Sequence, residues 1–199
     1  MSIENIVAMY KLSTPAEKKQ GVTWYARAYC DSLQIAENLG LPIHIVVGVV
    51  AALSPNNKWS RNLMNASDLC TAYINGDHVE SVKVSTYHKM RDKAWSILQT
   101  MPSSDDDVRS ILNGQKIVCF FENIMGIDTC TVDGHARNIY YNERVSLTGS
   151  ITIGKKEYAD IQEAYRKAGK KVRVNGKALK AYEMQAITWG VWRRIHNIK

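Results

Sequence analysis

Asp133, His135 and Arg137 fall at i, i+2 and i+4 in the stretch Thr131-Val132-Asp133-Gly134-His135-Ala136-Arg137-Asn138. If Asp133 caps a helix, it sits at the positive end of the helix dipole and stays ionised. A fixed anion of that kind can stabilise a developing cation or take up a proton. A simple N-cap is the plainer account of the same residue. A second stretch, Leu112-Asn113-Gly114-Gln115-Lys116-Ile117-Val118-Cys119-Phe120-Phe121, reads as one helix stopping at Asn113-Gly114 and another starting at once. Glycine there permits a left-handed backbone and leaves amide N–H groups exposed. A turn at a helix N-terminus can receive a phosphate, although an ordinary helix–helix turn looks the same.

Together the two stretches resemble the helix-hairpin-helix DNA glycosylases, the family of endonuclease III and of the adenine glycosylase of mismatch repair. That family has a glycine hairpin, often followed by lysine, and then a helix. A short loop leads on to a Val-Asp-x-His motif with a basic residue close behind. The matching residues here are Gly114-Gln115-Lys116, then Val132-Asp133-Gly134-His135 and Arg137. A third stretch, Ala51-Ala52-Leu53-Ser54-Pro55-Asn56-Asn57-Lys58, resembles the family's Leu-Ser-x-Gln segment, which ends a buried helix and reaches into the DNA. Asn56 stands where the family has glutamine. The hairpin has one glycine where the family usually has two, and the four-cysteine iron–sulfur motif of endonuclease III is absent. The resemblance covers residues 40–145. The C-terminal pattern Gln185-Ala186-Ile187-Thr188-Trp189-Gly190-Val191-Trp192-Arg193 is similar to one that ends small phage proteins.

The resemblance implies a DNA N-glycosylase that flips a damaged or modified base out of duplex DNA and cleaves its N-glycosidic bond. Asp133 matches the essential carboxylate. Lys116 matches the lysine that gives some members an AP-lyase step. The implied DNA contacts are Asn56, Asn57, Lys58, Asn113, Gly114, Gln115, His135 and Arg137. No cofactor, metal or metal cluster is implied. Two other functions fit the same residues: a non-enzymatic DNA-binding module of phage origin, and an enzyme acting on hypermodified phage-type bases.

The elements that must position these residues read as helices. Ser13-Thr14-Pro15-Ala16-Glu17 combines a hydroxyl cap, a proline at the first helical position and a nearby acid. Val22, Tyr25, Ala26, Tyr29, Leu33 and Ala36 follow at helical spacing, and Asn38-Leu39-Gly40 ends that helix. Pro42 opens a helix that is apolar nearly all round and so belongs in the core. Further helices are predicted near 58–74, 86–100, 104–112, 115–125, 133–142, 155–168 and 177–196. Met184, Ile187, Val191 and Ile195 form a core stripe on the last, with Trp189 and Trp192 beside it. Strand signals are few: a weak alternation at 146–153, and Val172-Arg173-Val174 before the turn pair Asn175-Gly176. The fold class is all-α: a single helical domain, residues 1–199, with two lobes and a cleft between them. The hairpin and the Asp133 helix lie within 104–142.

Composition narrows the function classes. The formal net charge is +7, which favours a polyanionic partner without identifying it. Cys30, Cys70, Cys119 and Cys130 form no closely spaced pair, so reduced thiols are favoured over disulfides, zinc or a cluster. No run approaches the roughly 18 apolar residues of a membrane span, and the N-terminus has no basic leader before an apolar segment. A cytoplasmic location is expected, in the host cell if the chain is phage-encoded.

Overall fold

The computed structural model describes residues 2–146 and 152–198. They fold into ten α-helices: α1 Ser2–Lys11, α2 Pro15–Leu39, α3 Ile43–Leu53, α4 Trp59–Asn75, α5 His88–Thr100, α6 Asp105–Leu112, α7 Gln115–Ile124, α8 Gly134–Tyr141, α9 Lys155–Lys170 and α10 Ala181–Ile195. A single 3₁₀ turn, Val79–Ser81, follows α4. Two-residue strands β1 (Arg173–Val174) and β2 (Lys177–Ala178) pair antiparallel, Arg173 opposite Ala178 and Val174 opposite Lys177. Asn175 and Gly176 both have positive φ, 50° and 79°, as a tight hairpin turn requires. The protein is therefore all-α, with one small hairpin among the described residues. The last helix starts at Ala181, later than the sequence suggests, because Lys177 and Ala178 belong to β2. Most of the weak 146–153 alternation falls on residues 147–151, outside the described residues.

The chain divides into two compact units, one of residues 1–25 and 126–199, the other of residues 26–125. In the second unit α3 is the centre. Ile45 to Leu53 are all fully buried, and α4, α5, α6 and α7 pack around them. This follows from a helix with no polar face, which water cannot accept on any side. Gly48 allows the close approach: a Cβ there would lie 2.8 Å from Val108 Cγ1 on α6.

In the first unit, α1 packs on α8, α9 and α10, and α10 packs on α8 and α9. The helix α1, which the sequence reading did not predict, has Glu4 in its first turn and Lys11 in its last. It holds through Ile6, Met9 and Tyr10, which are buried. At the start of α2, Thr14 and Glu17 form a reciprocal cap: the Glu17 N–H donates to Thr14 Oγ1 at 3.2 Å, and the Thr14 N–H to Glu17 Oε2 at 2.8 Å. Gly21 of α2 lies against the backbone of Ile187 in α10, where an added Cβ would come within 2.7 Å of the Ile187 nitrogen. Among the described residues no helix is long and apolar enough to cross a membrane.

Candidate functional site

Asp133 is set in place by the segment before it. Cys130, Thr131 and Val132 are buried, so their backbone groups need partners. α9 supplies them: the Val132 N–H donates to Tyr158 Oη at 3.0 Å, and Gln162 Nε2 donates to the Cys130 carbonyl at 2.9 Å. Asp133 then takes extended geometry (φ −106°, ψ −178°) as the N-cap of α8. Its Oδ1 accepts from the Ala136 N–H at 2.8 Å. Its Oδ2 accepts from Trp189 Nε1–H of α10 at 3.0 Å. The carboxylate is thus half-buried and fixed through both oxygens, at the positive end of a helix. An ionised carboxylate offers about four acceptor positions, so about two remain for another group.

The residues around it have distinct roles. His135 meets the Trp189 indole edge-on, with ring centroids 6.2 Å apart. Arg137 pairs with Glu157 of α9, Nε to Oε1 2.7 Å, and its guanidinium lies 4.7 Å over the Tyr141 ring. Its charge is therefore largely compensated within the protein. The fully buried Tyr165 reaches the Ala136 carbonyl at 3.5 Å. Burial pushes its hydroxyl well above the usual phenol range, so it stays protonated.

The hairpin belongs to the other unit. α6 ends at Leu112, and its C-cap Asn113 takes the left-handed conformation (φ 42°, ψ 55°), its N–H donating to the Arg109 carbonyl at 3.0 Å. Gly114 is extended (φ −169°, ψ 122°) and is the N-cap of α7. The left-handed residue is thus Asn113, in place of the glycine expected from the sequence. Asparagine tolerates that region better than most side chains. No side chain caps α7, and Asn113, Gly114, Gln115 and Lys116 are all exposed. Buried Leu112 and Ile117 anchor the turn on either side. Lys93 of α5 holds it from behind, its ammonium donating to the Leu112 carbonyl. Partial burial, and then Lys89 nearby, lower the Lys93 pKa.

The third segment lies in the same unit as the hairpin. Asn56 is exposed and left-handed, with φ 55°. Asn57 turns inward: its amide donates to the Leu53 carbonyl at 3.2 Å and to Asn65 Oδ1 at 3.4 Å. Thr86 Oγ1 pins the loop by donating to the Pro55 carbonyl at 2.5 Å. Lys58 is exposed as the N-cap of α4. Asn56 and Lys58, not Asn57, therefore face outward.

The structure thus brings Asp133, His135 and Arg137 together on one helix. It gathers Asn113 to Lys116 at one turn and Asn56 to Lys58 at one loop. Asp133 belongs to the first unit and Lys116 to the second. The residue missed from the sequence is Trp189, read there only as flanking the core stripe of the last helix. It is 56 residues from its partner Asp133, and no local spacing couples the two. Among the described residues no three His, Cys, Asp or Glu side chains cluster as metal ligands would.

Fold and site together define an all-α protein with an N-cap carboxylate tied to a tryptophan. The chain belongs to the family of unknown function DUF7178, whose model matches residues 1–196. No curated protein and no solved structure matches the chain.

Proposed function

We propose that the chain is a DNA N-glycosylase with Asp133 as its catalytic carboxylate. The observation that carries this reading is the state of that carboxylate: ordered through both oxygens, at a helix N-terminus, with acceptor capacity left over. Cleavage of an N-glycosidic bond sends the bonding pair out with the base and leaves cationic character on the sugar. A preorganised anion stabilises that cation without having to reorient as the charge develops. The target base has to leave the stack to reach such a site. Water then adds to the sugar carbon and gives up a proton, with Asp133 as the acceptor. If the neutral amine of Lys116 attacks instead, a Schiff base forms and an AP-lyase step follows. The net charge of +7 and the uncapped, exposed start of α7 fit a phosphate backbone as partner.

Asp133 would also look much like this as a purely structural tie in a DNA-binding module, since both of its oxygens already serve the fold. One screen separates the readings: base release from duplex oligonucleotides carrying damaged and phage-type modified bases, wild type beside Asp133→Asn. A glycosylase releases a base, and the variant loses that activity while keeping its DNA affinity. Binding without release from any substrate supports the non-enzymatic module.

A further inference from the structure

α8 and α10 carry three arginines in the unit of Asp133: Arg137, Arg193 and Arg194. Two of them are engaged by carboxylates. Arg137 pairs with Glu157 at 2.7 Å. Arg194 pairs with Glu17, also at 2.7 Å, and its Nη2 donates to the Leu12 carbonyl at 2.9 Å. Arg193 has no carboxylate partner among the described residues. Instead its guanidinium lies 4.4 Å over the indole of Trp189, the same indole whose N–H holds Asp133 Oδ2. Next to it, a Cβ added at Gly190 would meet nothing within 4 Å, so the helix surface beside the stack is open.

We infer that Arg193, laid on Trp189, is the phosphate-binding cation beside Asp133, in place of Arg137, which the sequence resemblance gives as a DNA contact. The inference rests on the proposal that the partner is DNA, but not on base release. A guanidinium stacked on an aromatic face keeps its in-plane N–H donors free. Those donors form the planar fork that matches two oxygens of a phosphodiester. The stack also fixes part of the arginine's rotamer freedom before any ligand arrives, which lowers the entropic cost of binding. Arg137 can offer a phosphate little, because Glu157 compensates its charge and occupies its Nε–H. Through one indole, the phosphate contact and the carboxylate are held in fixed register. A backbone phosphate gripped by Arg193 would therefore help set where the neighbouring sugar stands relative to Asp133.

The test is the salt dependence of binding to a plain duplex oligonucleotide without lesions, followed by fluorescence anisotropy with the full chain. Each neutralised phosphate adds about 0.9 to the slope of log affinity against log salt. Arg193→Gln is expected to reduce the slope by about one and to weaken binding to all sequences alike. Arg193→Lys should keep the slope, because the charge remains, and lose affinity, because the fork is gone. Arg137→Gln should leave the slope unchanged. The thermal midpoint of Arg193→Gln should fall only slightly, since the side chain closes no ion pair and gives up one cation–π contact; a purely structural role would move the midpoint and not the slope. An unchanged slope in Arg193→Gln, a reduced slope in Arg137→Gln, or no DNA binding by the wild type would overturn the assignment. If the slopes behave as described and no oligonucleotide carrying a damaged or modified base loses it in the release screen, the glycosylase reading fails and the Arg193 assignment stands.

Discussion

Each unit contains an aspartate that accepts from a tryptophan N–H. In one, Trp189 donates to Asp133 at 3.0 Å; in the other, Trp59 donates to Asp31 at 3.1 Å. The surroundings of the two carboxylates differ. Asp133 caps a helix and accepts from a backbone N–H with its second oxygen, where the dipole favours a negative charge. Asp31 lies inside α2, away from both helix ends, where the dipole gives it nothing. The same side-chain pair thus yields a preorganised anion in one place and an inter-helix tie in the other. Backbone geometry makes the difference, and only the first arrangement suits electrostatic catalysis.

Asp133→Ala removes a cap, worth about 1 kcal/mol, and a partly exposed charged hydrogen bond, worth about 1 kcal/mol after allowing for solvent. It should lower stability by about 2 kcal/mol, read from the urea midpoint at constant slope. Asp31→Ala loses a comparable hydrogen bond but gains helix propensity, and should stay within about 0.5 kcal/mol of wild type. Equal losses in the two variants would show that the cap contributes nothing to the contrast. Trp189→Phe keeps the ring and removes the donor. It should cost about 1 kcal/mol in thermal or urea unfolding, and it should slow base release by leaving Asp133 Oδ2 free to move.

The hairpin provides the mildest tests. Lys93→Met removes the donor to the Leu112 carbonyl. The expected loss is under about 1 kcal/mol, because water can replace the ammonium, and it should appear as faster hydrogen exchange at Asn113 and Gly114. Gly114→Ala should change stability by less than about 0.5 kcal/mol, since φ of −169° suits any residue and the new Cβ would meet Ile117 Cγ1 at an ordinary 3.4 Å. A large loss in that variant would restore the glycine role read from the sequence. Lys116→Gln should leave unfolding unchanged, because the side chain is exposed. Borohydride separates its two roles: a trapped protein–DNA adduct that disappears in Lys116→Gln marks a nucleophile, and no adduct marks a phosphate contact.

What was legible in the sequence was what local chemistry decides. The Thr14–Pro15–Glu17 start, the nearly all-apolar α3, the Asn175-Gly176 turn and the Asp133 cap each depend on residues within a few positions of one another. The helix α1 was not legible in this way, because its place is decided by tertiary packing of Ile6, Met9 and Tyr10 on distant helices. At the hairpin, the pair Asn113-Gly114 marked a turn correctly. The left-handed conformation was expected at Gly114 and falls on Asn113, because asparagine too tolerates positive φ. The charge on Arg137 looked available until α9 brought Glu157 to it from 20 positions away. Likewise, Trp189 and Arg193 became part of the site only when α10 packed on α8.

The most direct test of the central claim is single-turnover base release across the damaged and modified substrates, with wild type, Asp133→Asn and Asp31→Asn measured side by side and DNA affinity recorded for each. In Asp133→Asn the amide oxygen can still cap α8, but its NH₂ group then faces the Trp189 N–H, donor against donor, and the negative charge is gone. The wild type is expected to release a base, Asp133→Asn to fall by about 10²–10³ in rate with affinity nearly kept, and Asp31→Asn to behave as wild type. Full activity in Asp133→Asn, or no release by the wild type from any substrate, would contradict that claim.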